Sequence, residues 1–244
     1  MDRGRPPVTP SEGREGDTGT GRFIVFEGPD GVGKTTHVTL VSAWLDALGL
    51  PHVSTREPGG TPVGEAIREV VLHRADLDMP SESELVLILA ARAAFVRDVV
   101  RPALAAGRIV LADRFSLSTL AYQGYARGLD LTRVRQGIEL ATGGLSPDLY
   151  LLLDLPVDEA AERRNRERGS ADRIEREGRG FREAVRDGYL ELAQTESGIE
   201  VVNARGAPEE VHRRIRERLM ARFPSIFSEK GTDPFPADGV EASP

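Results

Sequence analysis

The sequence has no cysteine among its 244 residues, which excludes disulfide frameworks, thiolate nucleophiles and metal sites bound by cysteine. No apolar run approaches the ~18 residues of a membrane span, and the N-terminus lacks the apolar core of a signal peptide. The formal net charge of -7 argues against a protein that coats nucleic acid. We therefore expect a cytoplasmic protein with no membrane and no nucleic acid as partner. The histidines are too scattered to suggest a histidine-rich metal site: His37, His52, His73 and His212.

The two ends of the chain have few large apolar side chains. Residues 1–20 and residues 228–244 cannot bury enough apolar surface to offset the entropy of an ordered chain, so we predict that both tails are disordered. The body between them, residues 21–227, has the length of one domain.

Within the body, apolar runs that suit buried strands alternate with segments of helical spacing. The predicted strands are Arg22–Gly28, His52–Thr55, Arg108–Ala112, Leu149–Leu153 and Ile199–Val202. The predicted helices are Lys34–Leu48, Val63–His73, Ser81–Ala105, Leu131–Thr142, Val157–Arg168, Arg176–Thr195 and Pro208–Arg222. This alternation predicts an α/β fold with a parallel sheet between helices, in which ligands bind at the carboxyl ends of the strands.

The strongest motif is a phosphate-binding loop (P-loop), G-x-x-x-x-G-K-T, between the first predicted strand and the first predicted helix. Its glycines let successive backbone N–H groups face an anion, and the helix N-terminus adds a favourable dipole. Lys34 would reach the β- and γ-phosphates of a nucleoside triphosphate, and Thr35 would offer a hydroxyl to Mg²⁺. The predicted phosphate-binding residues are Gly28, Pro29, Asp30, Gly31, Val32, Gly33, Lys34 and Thr35.

The P-loop does not identify the reaction. A GTPase is disfavoured, because neither Asn165 nor Asn203, the only two asparagines, begins the N-K-x-D motif that reads guanine. A regulatory or motor-type ATPase remains open at this point.

Two polar segments come at the carboxyl ends of the second and third predicted strands, where a ligand would lie. The segment TREPGGT places Arg56 and Glu57 there, although a surface loop with an incidental ion pair would have the same pattern. The second residue of the segment ADRFSLSTLAYQG is Asp113, which could hold Mg²⁺ through water or receive a proton from an acceptor phosphate. Arg114 follows, and its planar fork suits an acceptor phosphate.

Side chains suited to reading a base edge follow within two helical turns: Ser118, Thr119, Tyr122 and Gln123. Tyr122 could instead belong to the core, and Gln123 could be solvated. Arg92 interrupts the apolar helix LVLILAARAAFV, so its charge needs an ion partner, a ligand or a path to water.

Residues 162–187 are rich in arginine and contain no lysine. A solvated, salt-bridged helix face would explain this composition. We favour a lid at about residues 163–175, because guanidinium groups fit phosphate oxygens and the P-loop itself has no arginine.

Together, these motifs resemble the thymidylate kinase family, whose members phosphorylate dTMP to dTDP with ATP. The resemblance spans about residues 22–222 and is carried by TREPGGT, D-R-x-x-x-S-T-x-A-Y-Q and DRIE after the arginine-rich stretch. It implies a P-loop NTPase fold of the nucleoside monophosphate kinase type, with a five-stranded parallel sheet of order 2-3-1-4-5. It also implies a homodimer formed through helices, and the bacterial subtype with catalytic arginines in the lid.

The resemblance implies a role for each motif residue, with ATP and Mg²⁺ bound at residues 28–35. The implied catalytic residues are Lys34, Asp30, Arg164, Arg166 and Arg168, the last nearest the transferred phosphate. Asp30 would orient Arg56 or contact the acceptor side. The implied dTMP-binding residues are Arg56 and Arg114 on the phosphate, Arg92 on the thymine carbonyl, and Glu57, Ser118, Thr119, Tyr122 and Gln123. The implied Mg²⁺ ligands are Thr35 and Asp113, and the residues that brace the lid are Asp172 and Glu175.

One position departs from the family pattern. The family commonly has a phenylalanine that stacks on thymine one helical turn before the base-reading arginine, and here that position is Ile88. We expect weaker or differently shaped base recognition, because an aliphatic side chain can bury the base face but lacks the aromatic stacking contact. Phe95 lies about two turns farther along the helix, so we expect it to face elsewhere. The alternatives are a kinase for another small acceptor, such as dUMP, a deoxynucleoside or a metabolite, and an ATPase that switches a partner.

Overall fold

The computed structural model describes residues 21–166, 172–174 and 176–227. One sheet contains all the strands found there, and every pair of neighbours is parallel. Its order, β2-β3-β1-β4-β5, confirms the expected one. The strands are β1 (Arg22–Glu27), β2 (His52–Arg56), β3 (Ile109–Asp113), β4 (Leu149–Asp154) and β5 (Ile199–Asn203).

Helices cover both faces of the sheet. They are α1 (Lys34–Ala47), α2 (Pro62–Arg68), α3 (Ser81–Phe95), α4 (Arg101–Ala105), α5 (Ser116–Thr119), α6 (Leu131–Thr142), α7 (Val157–Arg166), α8 (Arg179–Thr195), α9 (Pro208–Arg222) and α10 (Pro224–Phe227). Three of them continue as π-helical turns, at Glu69–His73 after α2, Val96–Val100 after α3 and Leu120–Ala126 after α5. In the described part of the chain, no helix has both the length and the apolar character needed to cross a membrane.

The predicted elements agree with these bounds to within a few residues, with two omissions, the segment Ser116–Ala126 and the short helix α10 (Pro224–Phe227). No helix was predicted at Ser116–Ala126, because the segment is buried nearly all round and so shows no amphipathic period. The helix α8 begins at Arg179 rather than at residue 176, because Gly178 has an extended backbone. Residues 167 and 168 of the predicted helix Val157–Arg168 lie outside the described residues.

The central strand β1 is buried on both sides, as expected for the middle of a parallel sheet. Its alternating side chains enter two separate apolar clusters. Ile24 and Phe26 face α1 and α9, where Trp44 stacks on Phe227 with ring centroids 4.8 Å apart. Phe23 and Val25 face the opposite layer, which includes Phe95 and Phe115.

The register of the sheet brings the predicted site segments together. Phe26 of β1 and Arg56 of β2 both lie opposite Asp113 of β3. The carboxyl ends of the three neighbouring strands therefore meet at one edge, where the P-loop leaves β1. The fold thus places the ATP-binding and acceptor-binding segments side by side.

Candidate active site

A cleft of about 280 Å³ lies at this edge of the sheet. Most of the side chains predicted for the site line this cleft, and they come from the P-loop and from both predicted acceptor segments. Its lining includes Asp30, Lys34, Thr35, Arg56, Glu57, Arg92, Asp113, Arg114, Ser118, Thr119, Tyr122, Gln123, Arg164 and Asp172. Residues 28, 29 and 32 of the P-loop are not among the lining residues, although they belong to the same loop.

The P-loop has the backbone that its glycines predict. Gly28, Gly31 and Gly33 all have positive φ angles, of 134°, 84° and 91°. A Cβ atom at Gly28 would lie 2.3 Å from the carbonyl oxygen of Leu153, so any larger residue would force the loop away from β4. All three positions therefore favour glycine on conformational grounds, and Gly28 and Gly31 require it on steric grounds as well.

Lys34 lies folded onto the P-loop. Its Nζ donates a hydrogen bond of 2.8 Å to the carbonyl oxygen of Pro29 and lies 3.9 Å from Asp30. Burial lowers the pKa of Lys34, and the nearby charge of Arg114 lowers it further. An anionic phosphate in the loop would offset both effects, so the ammonium group is placed to bind one.

The two predicted Mg²⁺ ligands are in contact. The hydroxyl of Thr35 donates a hydrogen bond of 2.6 Å to Oδ2 of Asp113. Hard oxygen atoms next to a phosphate-binding loop suit Mg²⁺, which is usually bound by one or two protein groups, water and substrate phosphates. Consistent with such a sparse donor set, the described residues contain no cluster of three or more His, Asp or Glu side chains that could hold a metal.

Arg114 is the most heavily bonded side chain of the acceptor segment. Its φ of 76° is unusual for a residue other than glycine, and it is the only such residue found in the described ranges. Strained backbone of this kind persists only where the surrounding structure fixes it, and often at functional sites. Five oxygen atoms lie within hydrogen-bond distance of the guanidinium group, from Gly28, Asp30, Ser118, Tyr122 and Tyr189.

Asp30 belongs to the acceptor side of the P-loop. It pairs with Arg114 and accepts a hydrogen bond of 2.9 Å from the hydroxyl of Tyr122. Arg56, which Asp30 was also expected to orient, pairs with Glu65 instead. Burial alone would raise the pKa of Asp30, but the charges of Arg114 and Lys34 outweigh it and lower the pKa to about 2.

Glu27 holds the backbone around Arg114 in place. This buried carboxylate at the end of β1 accepts hydrogen bonds from the backbone N–H groups of Phe115 (2.8 Å) and Ser118 (3.2 Å). It also accepts from the hydroxyls of Ser118 (2.6 Å) and Tyr189 (2.9 Å). Burial raises the pKa of Glu27, and these hydrogen bonds and Arg114 oppose the rise. Ser118 thus contacts Glu27 as well as the cleft.

Arg92 is buried and paired, so the alternative that it reaches water is wrong. Its Nε lies 2.8 Å from Oε2 of Glu57, and its two terminal nitrogens donate to Thr119 Oγ1 and to the carbonyl oxygen of Phe115, each at 2.9 Å. Burial raises the pKa of Glu57 to about 7, against the opposing effect of Arg92. The Oε1 atom of Glu57 is buried and has no hydrogen-bond partner in the described residues.

The polar residues Tyr122 and Gln123 are both buried and both line the cleft. Tyr122 packs into the core, as one of its two interpretations predicts, and its hydroxyl also bonds to Asp30. Gln123 is not solvated, because its Nε2 donates a hydrogen bond of 2.8 Å to Glu84, a buried carboxylate of α3.

The lid arginines differ in their positions. Arg164 lines the cleft, next to the P-loop: a Cβ at Gly31 would lie 3.3 Å from the Cβ of Arg164. Arg166 is exposed and lies 3.4 Å from Glu162 on the same helix face. Arg168 and Glu175 lie outside the described residues, as do residues 167 and 169–171. Of the two predicted lid arginines that the structure describes, Arg164 lines the cleft and Arg166 does not.

The segment 172–174 reaches the cleft from the other side. Asp172 and Ile174 line it, and the backbone N–H of Arg173 donates a hydrogen bond of 2.9 Å to the carbonyl oxygen of Leu72. Ile88 lines the cleft at this end, together with Leu72 and Ile174. The position that departs from the family pattern thus faces the cleft among aliphatic side chains, whereas Phe95 packs in the core.

The sequence predicts no role for three buried polar residues near the site: Glu27, Glu84 and Tyr189. Glu27 carries a detectable signal, because a carboxylate at the end of a buried apolar run must find partners. Glu84 carries none, because it follows residues 81–83 at the polar start of α3, where an exposed carboxylate is equally expected. Tyr189 gives no such signal, since its distance of 162 residues from Glu27 in the chain is bridged only by the fold.

Comparison with known proteins identifies the family to which this chain belongs. The sequence model of thymidylate kinase matches residues 26–215. The chain belongs to the thymidylate kinase family. Its relatives named thymidylate kinase include one from Desulforudis audaxviator, 54% identical over 187 residues that cover 76% of this chain and 84% of the relative. A second, from Symbiobacterium thermophilum, is 45% identical over 87% of this chain and 99% of the relative. A third, from Chromohalobacter salexigens, is 49% identical over 84% and 98%.

Membership of the thymidylate kinase family agrees with the sheet order and with the P-loop at the end of β1. The matched region extends from the second half of β1 into α9, so it includes every residue that lines the cleft.

Proposed function

We propose that the cleft described above is the active site of a dTMP kinase, with the donor nucleotide on the P-loop and dTMP between Arg114 and Gln123. As a member of the thymidylate kinase family, the chain phosphorylates dTMP to dTDP with ATP and Mg²⁺. The observation that carries the proposed arrangement is the cleft itself, which joins the P-loop to a buried acceptor pocket. Transfer between two phosphates requires both to lie in line within one cavity.

On the donor side, the proposed roles follow the geometry of the P-loop. Backbone N–H groups of residues 28–35 bind the ATP phosphates, and Lys34 exchanges its contact with Pro29 for the β- and γ-phosphates. Mg²⁺, when bound at Thr35 and Asp113, would neutralise phosphate charge. No nucleophilic side chain takes part, because a phosphate oxygen of dTMP is the attacking atom.

On the acceptor side, two arginines are assigned to the phosphate of dTMP. Arg114 is already fixed beside Asp30 and the P-loop, so it lies between the two phosphate positions. Arg56 lines the same cleft, and its guanidinium group, which is half exposed, pairs with Glu65 at 3.1 Å. The fixed Arg114 and the exposed Arg56 would together position the attacking oxygen and neutralise the charge that develops during transfer.

At the base end, the proposed contacts are polar on one edge and aliphatic on the faces. Arg92 can only donate hydrogen bonds, which suits a carbonyl oxygen of thymine. Gln123 and Thr119 lie beside Arg92. The carboxylate of Glu57 accepts a hydrogen bond from Nε of Arg92 and so orients its guanidinium group. Ile88 supplies an aliphatic contact where the family commonly stacks a phenylalanine.

The lid is proposed to complete the donor side. Arg164 lies at the P-loop, and Arg166 and Arg168 follow it in the chain. Arginines that reach a transferring phosphate typically contribute roughly 10³–10⁵ in rate. Arg168→Ala is therefore expected to lower kcat far more than it raises KM for dTMP.

A panel of acceptors tests the proposal. The protein is mixed with ATP, Mg²⁺ and, in separate reactions, dTMP, dUMP, other nucleoside monophosphates or thymidine, and products are separated by chromatography. We expect dTDP to form in step with ADP, and thymidine to be a poor acceptor because it offers no phosphate to Arg114. Slow phosphate release without any acceptor preference would contradict the proposal and favour an ATPase switch.

A homodimer is also proposed, on the basis of an unpartnered apolar face. Large apolar side chains are exposed on three helices of one layer: Val63 of α2, Val86 of α3 and Leu140 of α6, the last 87% exposed. Exposed alanines of α3, Ala90 and Ala93, continue the face one and two turns beyond Val86. Such a patch is typical of an interface between copies of one chain.

Light scattering tests the dimer. We expect twice the chain mass of 26.5 kDa for the unaltered protein, and a shift toward one chain mass for Ala90→Arg. The matched control is Ala221→Arg, on the exposed side of α9, which should leave the mass unchanged. A single chain mass for the unaltered protein at micromolar concentration would contradict the proposal. The cytoplasmic location stays a prediction.

A further inference from the structure

The side-chain amide of Gln123 contacts a buried carboxylate at the base end of the cleft. Its Nε2 lies 2.8 Å from Oε1 of Glu84, and the two residues are 2% and 1% exposed. Glu84 belongs to α3, while Gln123 belongs to the π-helical turn after α5. Two distant segments therefore meet at this contact, inside the protein.

Glu84 is surrounded by cations that keep it ionised. Arg173 contacts its Oε2, and Arg127 lies 3.4 Å from both of its oxygens. Burial alone would raise the pKa of Glu84, but hydrogen bonds from Arg173 and Gln123 outweigh it and lower the pKa. An ionised carboxylate can only accept hydrogen bonds.

The orientation of the Gln123 amide follows from this chemistry. An amide has a donor end and an acceptor end, and only the donor end can face an ionised carboxylate. The Nε2 end therefore faces Glu84, and the Oε1 end is left for the cleft that Gln123 lines.

We propose that Glu84 is a positioning residue that sets base specificity, because it fixes the amide oxygen of Gln123 toward the bound base. The inference deepens the proposed function and rests on Arg92 and Gln123 facing the base. Thymine offers a carbonyl oxygen to Arg92 and an N3–H to the Gln123 oxygen. Cytosine offers the reverse, an exocyclic amine and a bare N3, so a fixed amide rejects it.

The variant Glu84→Gln tests the inference, because a glutamine can face either end of the Gln123 amide. We expect the ratio of kcat/KM for dTMP to that for dCMP to fall about tenfold, the effect of one hydrogen bond of average net strength. The ratio for dTMP over dUMP should not change, since uracil has the same N3–H. Glu84→Asp keeps an acceptor-only group, so it should retain selectivity even where activity falls.

Glu177→Gln is the matched control. Glu177 pairs with Arg127 in the same network but touches neither Gln123 nor the cleft. It should leave the dTMP to dCMP ratio unchanged. Equal losses for dTMP and dCMP in Glu84→Gln would mean that Glu84 is only structural, and would overturn the inference.

Gln123→Met separates this inference from the proposed function. If it lowers the ratio while Glu84→Gln does not, the inference fails alone. If it leaves the ratio unchanged, the assignment of Gln123 to the base fails, and the inference fails with it. Should Glu84→Gln not fold, the Gln123 amide is observed by NMR in the unaltered protein and assigned by its absence in Gln123→Met. Slowly exchanging Nε2 hydrogens support the inference, and rapidly exchanging ones overturn it.

Discussion

Two groups of arginines around the cleft differ in how the fold holds them. Arg92 is 1% exposed, and Arg114 is largely buried, and each bonds to several groups of the protein. Arg56 is 53% exposed and Arg166 76% exposed, and each is paired with one carboxylate on the surface. Surface pairs of this kind contribute about 0–1 kcal/mol, so they re-form with a phosphate at little cost. We therefore infer that folding completes the part of the proposed acceptor pocket around Arg92 and Arg114, whereas the exposed arginines would respond to substrate.

The largest expected effect comes from the donor side. Lys34→Ala removes the cation that lies folded on the P-loop, and we expect kcat to fall by roughly 10³-fold or more, because phosphate charge is then not neutralised. Affinity for dTMP, measured by calorimetry without ATP, should remain close to that of the unaltered protein. Near-normal turnover would show that the P-loop is wrongly assigned, and loss of dTMP binding would show that the two sides are not separate.

The second effect compares the two groups of arginines directly. Arg114→Met leaves the partly buried Asp30 without its nearest cation, although Tyr122 still bonds to it, so we expect a loss of about 2–3 kcal/mol in the free energy of unfolding, besides a lower kcat/KM for dTMP. Arg56→Met should raise KM for dTMP but change stability by less than about 0.5 kcal/mol. Urea unfolding of both variants measures the difference. Equal free energies of unfolding in the two variants would show that the fold does not hold the two groups of arginines differently.

The third effect depends on pH. The pKa of Asp30 is lowered to about 2 from an ordinary 3.8, so the ionised group stabilises the fold above pH 4, and this stabilisation is lost as the pH falls toward 2. Asp30→Asn should reduce the free energy of unfolding by about 2 kcal/mol at pH 7. The deficit should shrink between pH 4 and pH 2, as followed by thermal unfolding. A deficit that is constant with pH would indicate a packing defect instead.

The smallest expected effect is at the base. Ile88→Phe should change the affinity for dTMP by roughly two- to tenfold, the range expected for an added aromatic contact. Titration of dTMP into the two proteins measures the change. Unchanged affinity would show that Ile88 does not limit base recognition.

The sequence predicted the parts of the site that lie next to each other in the chain or at strand ends. The P-loop follows from its motif, and the contact of Thr35 with Asp113 follows from the rule that parallel strands end at one edge. Arg92 was singled out because a charge in an apolar helix needs a partner.

The remaining contacts depend on distances that no local pattern encodes. Glu27 bonds to Tyr189 across 162 residues, and Glu84 to Arg173 across 89. The left-handed backbone of Arg114 could not be predicted either, because arginine does not favour that conformation. These long-range contacts determine which of the predicted site residues the fold fixes in place and which remain exposed.

The claim that folding completes the acceptor pocket is tested most directly by hydrogen exchange. The backbone N–H groups of Phe115 and Ser118 bond to the Glu27 carboxylate, so their exchange reports on the pocket. We expect both to exchange slowly in the protein without nucleotides, and addition of dTMP to change their rates little. Rapid exchange that becomes slow only when dTMP is added would contradict the account, because the substrate would then build the pocket.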